Sequence, residues 1–176
     1  MTLTAEELLG LYLPDKRSEL VRGVLAVREP AGGRHGDLAM RLTLAIGTHV
    51  QVRGLGWVFA AETGFTLARN PDTVRAPDVS FVRSGRLPVP LPKGYPELAP
   101  DLVVEVLSPD DRPGKVLAKV ADWLNAGTLL VWVVDPDRRE ARVYRADGTQ
   151  AIVSAEDALD GEDVLPGFVC PLAEIV

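Results

Sequence analysis

The sequence of 176 residues holds a single cysteine, Cys170, and no run of apolar residues long enough to cross a bilayer. One cysteine cannot form an internal disulfide, and Cys170 stands outside any metal-ligand spacing, which agrees with a reducing compartment. The longest apolar run is "LLVWVV", and no basic segment followed by an apolar stretch opens the chain. A cytoplasmic location is therefore expected. An excess of positive charge is missing too: 19 Lys and Arg stand against 25 Asp and Glu, for a net charge of -6. That balance argues against tight nonspecific binding to nucleic acid through bulk charge, because such binding rests on Lys and Arg neutralising phosphates. It does not exclude an enzyme that touches nucleic acid through one metal-loaded cleft. With 47% hydrophobic and 25% charged residues, no internal repeat and no break in composition, the chain reads as one compact domain over residues 1–176.

The pattern along the chain alternates strands and helices. Thr4 and Glu7 have capping-box spacing, and Leu3 and Leu8 can staple the turn, so a short helix follows Thr4 and ends before Pro14. "SELVRGVLAVREP" alternates apolar and charged residues on both sides of Arg22-Gly23, which predicts a strand pair. After the loop "AGGRHG", Leu38, Leu42, Ala45, Ile46 and His49 recur at helical spacing to about Val52. "GWVFAA" and "GFTLA" are expected to form a hairpin across Glu62 and Thr63, with "APDVSFV" as the next strand. Ser84 to Pro100, with five prolines, reads as an irregular crossover. "LVVEVL" is a strand, Asp111 and Pro113 open a helix carrying Val116, Leu117, Val120, Ala121 and Leu124, and Gly127 ends it. "TLLVWVV" has the continuous apolar pattern of a strand covered on both faces, and "EARVYRA" that of a half-exposed one. The expected fold is α/β (α+β), a mixed central sheet flanked by helices, with a βαβ unit in its second half.

Two acids break this pattern. In "PDLVVEVLSP", Glu105 sits among Leu102, Val103, Val104, Val106 and Leu107, and in "APDVSFV" Asp78 precedes Val79, Phe81 and Val82. An ionised carboxylate in such a strand costs several kcal/mol unless a cation compensates it. If the two strands are adjacent, the acids converge on one point and raise each other's pKa. A divalent cation removes that conflict, and oxygen ligands with open water positions suit Mg²⁺ or Mn²⁺. Lysine is scarce, with only Lys16, Lys93, Lys115 and Lys119 in the chain. Lys115 and Lys119 share one face of the helix after the Glu105 strand, so one of them can reach back toward the acids. An ammonium there would orient a water or stabilise charge on a phosphoryl group.

At these residues the sequence resembles the Uma2 family, the DUF820 group of endonuclease-like proteins with the PD-(D/E)xK restriction-endonuclease-like fold. "SELVRGVL", "AGGRHG", "APDVSFV", "PDLVVEVLSPDD" and "KVADWLNAGTLLVWVVDP" follow its motifs in order, from about Glu19 to Pro136. The resemblance implies that Asp78 is the motif aspartate, Glu105 the motif acid and Lys119 the motif lysine. The position two residues after the acid, where that lysine commonly lies, is Leu107. Glu19 corresponds to an early family glutamate and His35 to an accessory histidine before the long helix, while Ser18 and Trp123 stand where tyrosines are usual. By this resemblance Asp78, Glu105 and the carbonyl of Val106 hold Mg²⁺ or Mn²⁺, and the substrate is nucleic acid, DNA first.

Each of these residues also has a plainer reading. Asp78 can cap a turn, Glu105 can pair with a buried arginine, and Lys119 can lie in solvent against Asp122. Glu19 can be a surface residue and His35 a loop residue. Asp101 is expected to cap its strand or face water, and Trp57, Trp123 and Trp132 to be core. The competing function is accordingly a catalytically inactive binding module on the same fold. A homodimer is expected for an enzyme that cuts both strands of a duplex.

Overall fold

The computed structural model describes residues 2–176. The first helix, α1 (Ala5–Gly10), starts at the expected capping box, with Thr4 and Glu7 each accepting from the other's backbone N–H. Next comes a hairpin of β1 (Arg17–Val21) and β2 (Val24–Arg28). Its two turn residues, Arg22 and Gly23, have φ of 49° and 78°, the left-handed pair that matches strand twist in a two-residue hairpin. Helix α2 (Gly33–Arg53) begins earlier than its apolar spacing suggested, so the last four residues of "AGGRHG" are its first turn and His35 is buried there.

Strands β3 (Gly56–Ala60), β4 (Phe65–Ala68), β5 (Thr73–Arg75) and β6 (Val79–Arg83) follow. The expected hairpin of β3 and β4 does not form. Strand β3 pairs antiparallel with β6, and β4 pairs with β5, a three-residue strand that the sequence pattern did not disclose. Turn residues mark where the chain reverses without naming a partner, and here the two strands enter different sheets. They meet only through side chains, Phe59 edge-on to Phe65 with ring centroids 5.5 Å apart.

After the irregular segment come β7 (Leu102–Val106), α3 (Pro113–Asn125), β8 (Leu130–Asp135) and β9 (Glu140–Arg145). Strands β7 and β8 are parallel, as a βαβ unit requires. The chain ends with β10 (Gln150–Ser154), β11 (Ala158–Asp160), β12 (Val169–Pro171) and a short 3₁₀ turn, all unanticipated. The main sheet has six strands in the order β10-β9-β8-β7-β6-β3, and a second has four in the order β2-β1-β5-β4. This is the expected mixed sheet flanked by helices.

One face of the main sheet packs under α2, with Leu42 and Ile46 over Val79, Phe81, Leu102, Val104, Leu130 and Trp132. The other face carries Val82, Val103, Val131 and Val133 against Val120 and Trp123 of α3. Side chains alternate between faces along a strand, so Glu105 shares the α3 face with Val103, and Asp78 shares it with Val82. Helix α3 opens with Pro113 as expected, but its N-cap is Arg112 and not Asp111. Asp111 lies one residue early and folds back to accept from the Ser108 N–H at 2.8 Å, while Arg28 donates to it at 3.3 Å. Asp101 is buried rather than solvated, accepting from the Arg83 N–H and pairing with Arg86. No helix among the described residues is long and apolar enough to cross a membrane.

Candidate active site

The edge of the cleft is set by register. Val79 of β6 lies opposite Val104 of β7, and the Asp78 N–H donates to the Val104 carbonyl at 3.1 Å. One further step puts Asp78 opposite Glu105, at the end of two adjacent central strands. Both acids line a cavity of about 140 Å³ together with Glu19, His35, Val106 and Lys119. The five side chains and the one peptide unit singled out from the sequence are therefore gathered at one place.

Helix α3 brings Lys119 back over the sheet. Its ammonium is buried and donates to Glu105 Oε2 at 2.9 Å and to the Ala76 carbonyl at 3.2 Å, and it pairs with Glu19 Oε1 at 3.0 Å. The solvated pairing with Asp122 is not what forms. One turn earlier Lys115 is exposed. Trp123 is buried as expected for core, and it also makes a polar contact, its indole N–H donating to Glu105 Oε1 at 2.9 Å. Glu19 is not a surface residue. It is buried on β1, accepting from Arg75 at 2.9 Å and from the Ala76 N–H at 2.9 Å. Arg75 in turn donates through Nε to Asp122 at 3.0 Å.

Asp78 has a separate set of partners. Its Oδ2 accepts from the Val106 N–H at 2.7 Å and faces His35 Nε2 at 3.2 Å, and its Oδ1 accepts from Arg17 at 3.1 Å. Arg17 also approaches Glu62 at 3.5 Å. No sequence signal marks Arg17, Arg75 or Asp122, which lie in unremarkable polar stretches. Their partners are 47 to 61 residues away in sequence.

The acids do not titrate alike. Burial raises the Glu105 pKa to about 7: Lys119 pulls it down, but the charges of Asp78 and Glu19 push it up again. Burial also opposes the charge on Asp78, yet the hydrogen bond and charge of His35 and the Val106 N–H hold its carboxyl below the usual carboxylate range. The expectation that both acids are raised thus holds for Glu105 alone, because Asp78 has cationic neighbours of its own. Glu19 is likewise lowered, since Lys119 and Arg75 outweigh its burial. His35 is raised, first by its bond to Asp78, against its burial. Lys119 stays protonated: burial disfavours its charge, and Glu105 and Glu19 more than restore it.

No group of three or more His, Cys, Asp and Glu side chains among the described residues is disposed to hold a metal unaided. A hard divalent cation can nevertheless be served by fewer protein ligands when water and substrate complete the shell. The donor set fits one. Asp78, Glu105 and the carbonyl of Val106 are all oxygen donors at one cavity, and Glu105 is an acid whose charge is incompletely compensated.

Residues 5–173 match the Uma2 family, whose description is "Putative restriction endonuclease". The chain belongs to the Uma2 family. A solved structure similar to this Uma2 protein is a crystal structure from Anabaena variabilis ATCC 29413, titled as a "putative nuclease belonging to DUF820". The likeness has a TM-score of 0.84 with 23% identity, over 98% of this chain and 97% of that one. At that identity the likeness establishes a shared fold. No curated protein matches the chain.

Proposed function

We propose that this Uma2 protein is a divalent-metal-dependent phosphodiesterase that cuts nucleic acid, with DNA as the substrate. The observation that carries the reading is the position of Lys119, a buried ammonium held between Glu105 and Glu19 beside Asp78. A site that were only a structural ion pair would not need three acids around one cavity open to solvent. Membership of a family described as "Putative restriction endonuclease" supports the same chemistry.

In this reading Asp78, Glu105 and the Val106 carbonyl would hold Mg²⁺ or Mn²⁺, which would supply polarisation of a phosphoryl oxygen and a more acidic water. Lys119 supplies the fixed positive charge for the phosphoryl oxygens as negative charge builds on them, and in a dry site such a charge is worth more than in water. Glu19 and the Ala76 carbonyl fix the direction of that ammonium. Arg75 holds Glu19 from behind and is a positioning residue, as is Trp123 for Glu105. The Val106 N–H keeps the Asp78 carboxylate in one orientation, with His35 behind it.

A second reading is favoured by one feature. Arg17 and His35 already satisfy Asp78, and Lys119 and Trp123 satisfy Glu105, so the network closes without a metal ion. A protein that keeps the fold as a binding module would need no ion there. Nicking of supercoiled plasmid separates the two. The nuclease reading requires relaxed circles with Mn²⁺ or Mg²⁺, none with EDTA and none from Asp78→Asn; no nicking by the unmodified protein under any divalent metal favours the binding module.

A further inference from the structure

We propose that the groove between the N-terminal ends of α2 and α3 seats the phosphodiester backbone of a polymeric strand, with Arg112 and Lys115 as its two free phosphate contacts. The proposal rests on the nuclease reading for the identity of the strand and adds where that strand runs. At about 140 Å³, the catalytic cavity is below the roughly 300 Å³ at which pockets begin to engulf small ligands. It admits the reacting phosphoryl group and little else, so the rest of the substrate must lie outside it. A groove of about 680 Å³ adjoins it, sharing Arg17, Arg28, His35, Leu107, Ser108 and Asp111 as common wall.

The charge of that groove departs from the rest of the molecule. Arg17, Arg28, Arg34, Arg112 and Lys115 line it, against Glu29, Asp110, Asp111 and Asp137, in a protein whose net charge is -6. Most of these charges are already matched: Glu29 with Lys16, Asp111 with Arg28, Asp137 with Arg34, and Arg17 with Asp78. Asp110 is not, and neither are the two cations Arg112 and Lys115. Both are exposed, and neither has an acidic group within 4.0 Å among the described residues. Two side chains are thus left free to neutralise phosphates, and Lys115 stands one helical turn, roughly 6 Å, from Lys119.

The backbone adds to this charge without carrying the case alone. Both helices end in the groove with no side-chain cap and no acid in the first turn. The first-turn N–H groups of α2 favour anions there, whereas α3 adds little, because Pro113 has no N–H and the Lys115 N–H donates to the Arg112 carbonyl at 2.9 Å. By contrast α1, which lies elsewhere, has both a capping box and two glutamates in its first turn.

The test is fluorescence anisotropy of a short labelled DNA duplex, with Ca²⁺ as the only divalent ion, at salt between about 50 and 200 mM. Removing one phosphate-neutralising cation should reduce the steepness of log K against log salt by about 0.9, so Arg112→Ala and Lys115→Ala should each do so and the double variant by about 1.8. Arg53→Ala, at the far end of the 21-residue α2, should leave the slope as it was. Both target residues are exposed, and unchanged thermal melting confirms that the variants fold. A double variant with the unmodified slope overturns the groove, and plasmid nicking by the same preparation shows that the nuclease reading survives it. A reduced slope with no nicking under any metal keeps the groove and removes the nuclease. Absence of any duplex binding by the unmodified protein overturns the groove outright.

Discussion

Glu105→Gln keeps the shape of the buried side chain and removes its proton equilibrium. In the folded protein the carboxyl has a pKa of about 7, against 4.5 for an unperturbed glutamate. Between those values the folded state binds the proton more tightly than the unfolded state, so stability must fall as pH rises through that window. The interval from 4.5 to about 7, at about 1.4 kcal/mol per pH unit, amounts to roughly 3 kcal/mol. Glutamine approximates the protonated acid: its carbonyl oxygen can still accept, and its uncharged NH₂ stands in place of the hydroxyl. The variant and the native protein should therefore be of similar stability at pH 5. By pH 8, with EDTA present, the variant should be more stable by up to about 3 kcal/mol. Urea unfolding across that pH range measures the difference directly. A difference that does not change with pH would refute the reasoning, because it would mean that Glu105 does not titrate there. A variant less stable at pH 8 would refute it in another way, by showing that ionised Glu105 is a net stabilising partner of Lys119.

Lys119→Ala leaves Glu19 and Glu105 buried without their shared ammonium, which should cost about 3–5 kcal/mol in urea unfolding and abolish plasmid nicking while Mn²⁺ binding persists; full activity would make the lysine a structural partner only. Trp123→Phe keeps the ring against Val103 and Val120 but removes the N–H donor to Glu105, for a loss of about 1–3 kcal/mol that should be read at pH 8, where the carboxylate needs the donor. Bound Mg²⁺ or Mn²⁺ should raise the melting temperature of the native protein, by the equivalent of about 2.7 kcal/mol at a hundredfold excess over Kd, and should not do so for Glu105→Gln. A protein that cuts both strands of a duplex is expected to be a C₂ dimer, and light scattering showing a monomer at all concentrations would remove that expectation.

What the sequence discloses is local. The Thr4–Glu7 box, the Arg22-Gly23 turn and Pro113 at the start of α3 act over three or four residues, and each stands at its expected place. The two acids are legible for the same kind of reason, since a carboxylate inside "LVVEVL" conflicts with its immediate neighbours. Pairing is legible only in part: the β1–β2 hairpin and the parallel β7–β8 pair form as expected, and the hairpin of β3 and β4 does not. Alternation in "GWVFAA" and "GFTLA" fits a partner in either sheet, and the choice is made by β5 and β6, which bring Thr73–Arg75 and Val79–Arg83 alongside. The charges behind the site are hidden by distance: Arg75 reaches Glu19 across 56 positions and Asp122 across 47. Nothing within a short window around "TVRAP" distinguishes an arginine that will be buried from one that will not. Asp111 shows the converse limit, because a residue of the right type one position from an N-cap is drawn instead into a turn with Ser108.

Anomalous scattering from a Mn²⁺-soaked crystal tests the metal site most directly. One strong peak is predicted within bonding distance of an oxygen of Asp78, an oxygen of Glu105 and the carbonyl oxygen of Val106, absent from crystals of Asp78→Asn. A peak elsewhere, or none at saturating Mn²⁺, would contradict that assignment and leave the buried acids as a closed salt-bridge network.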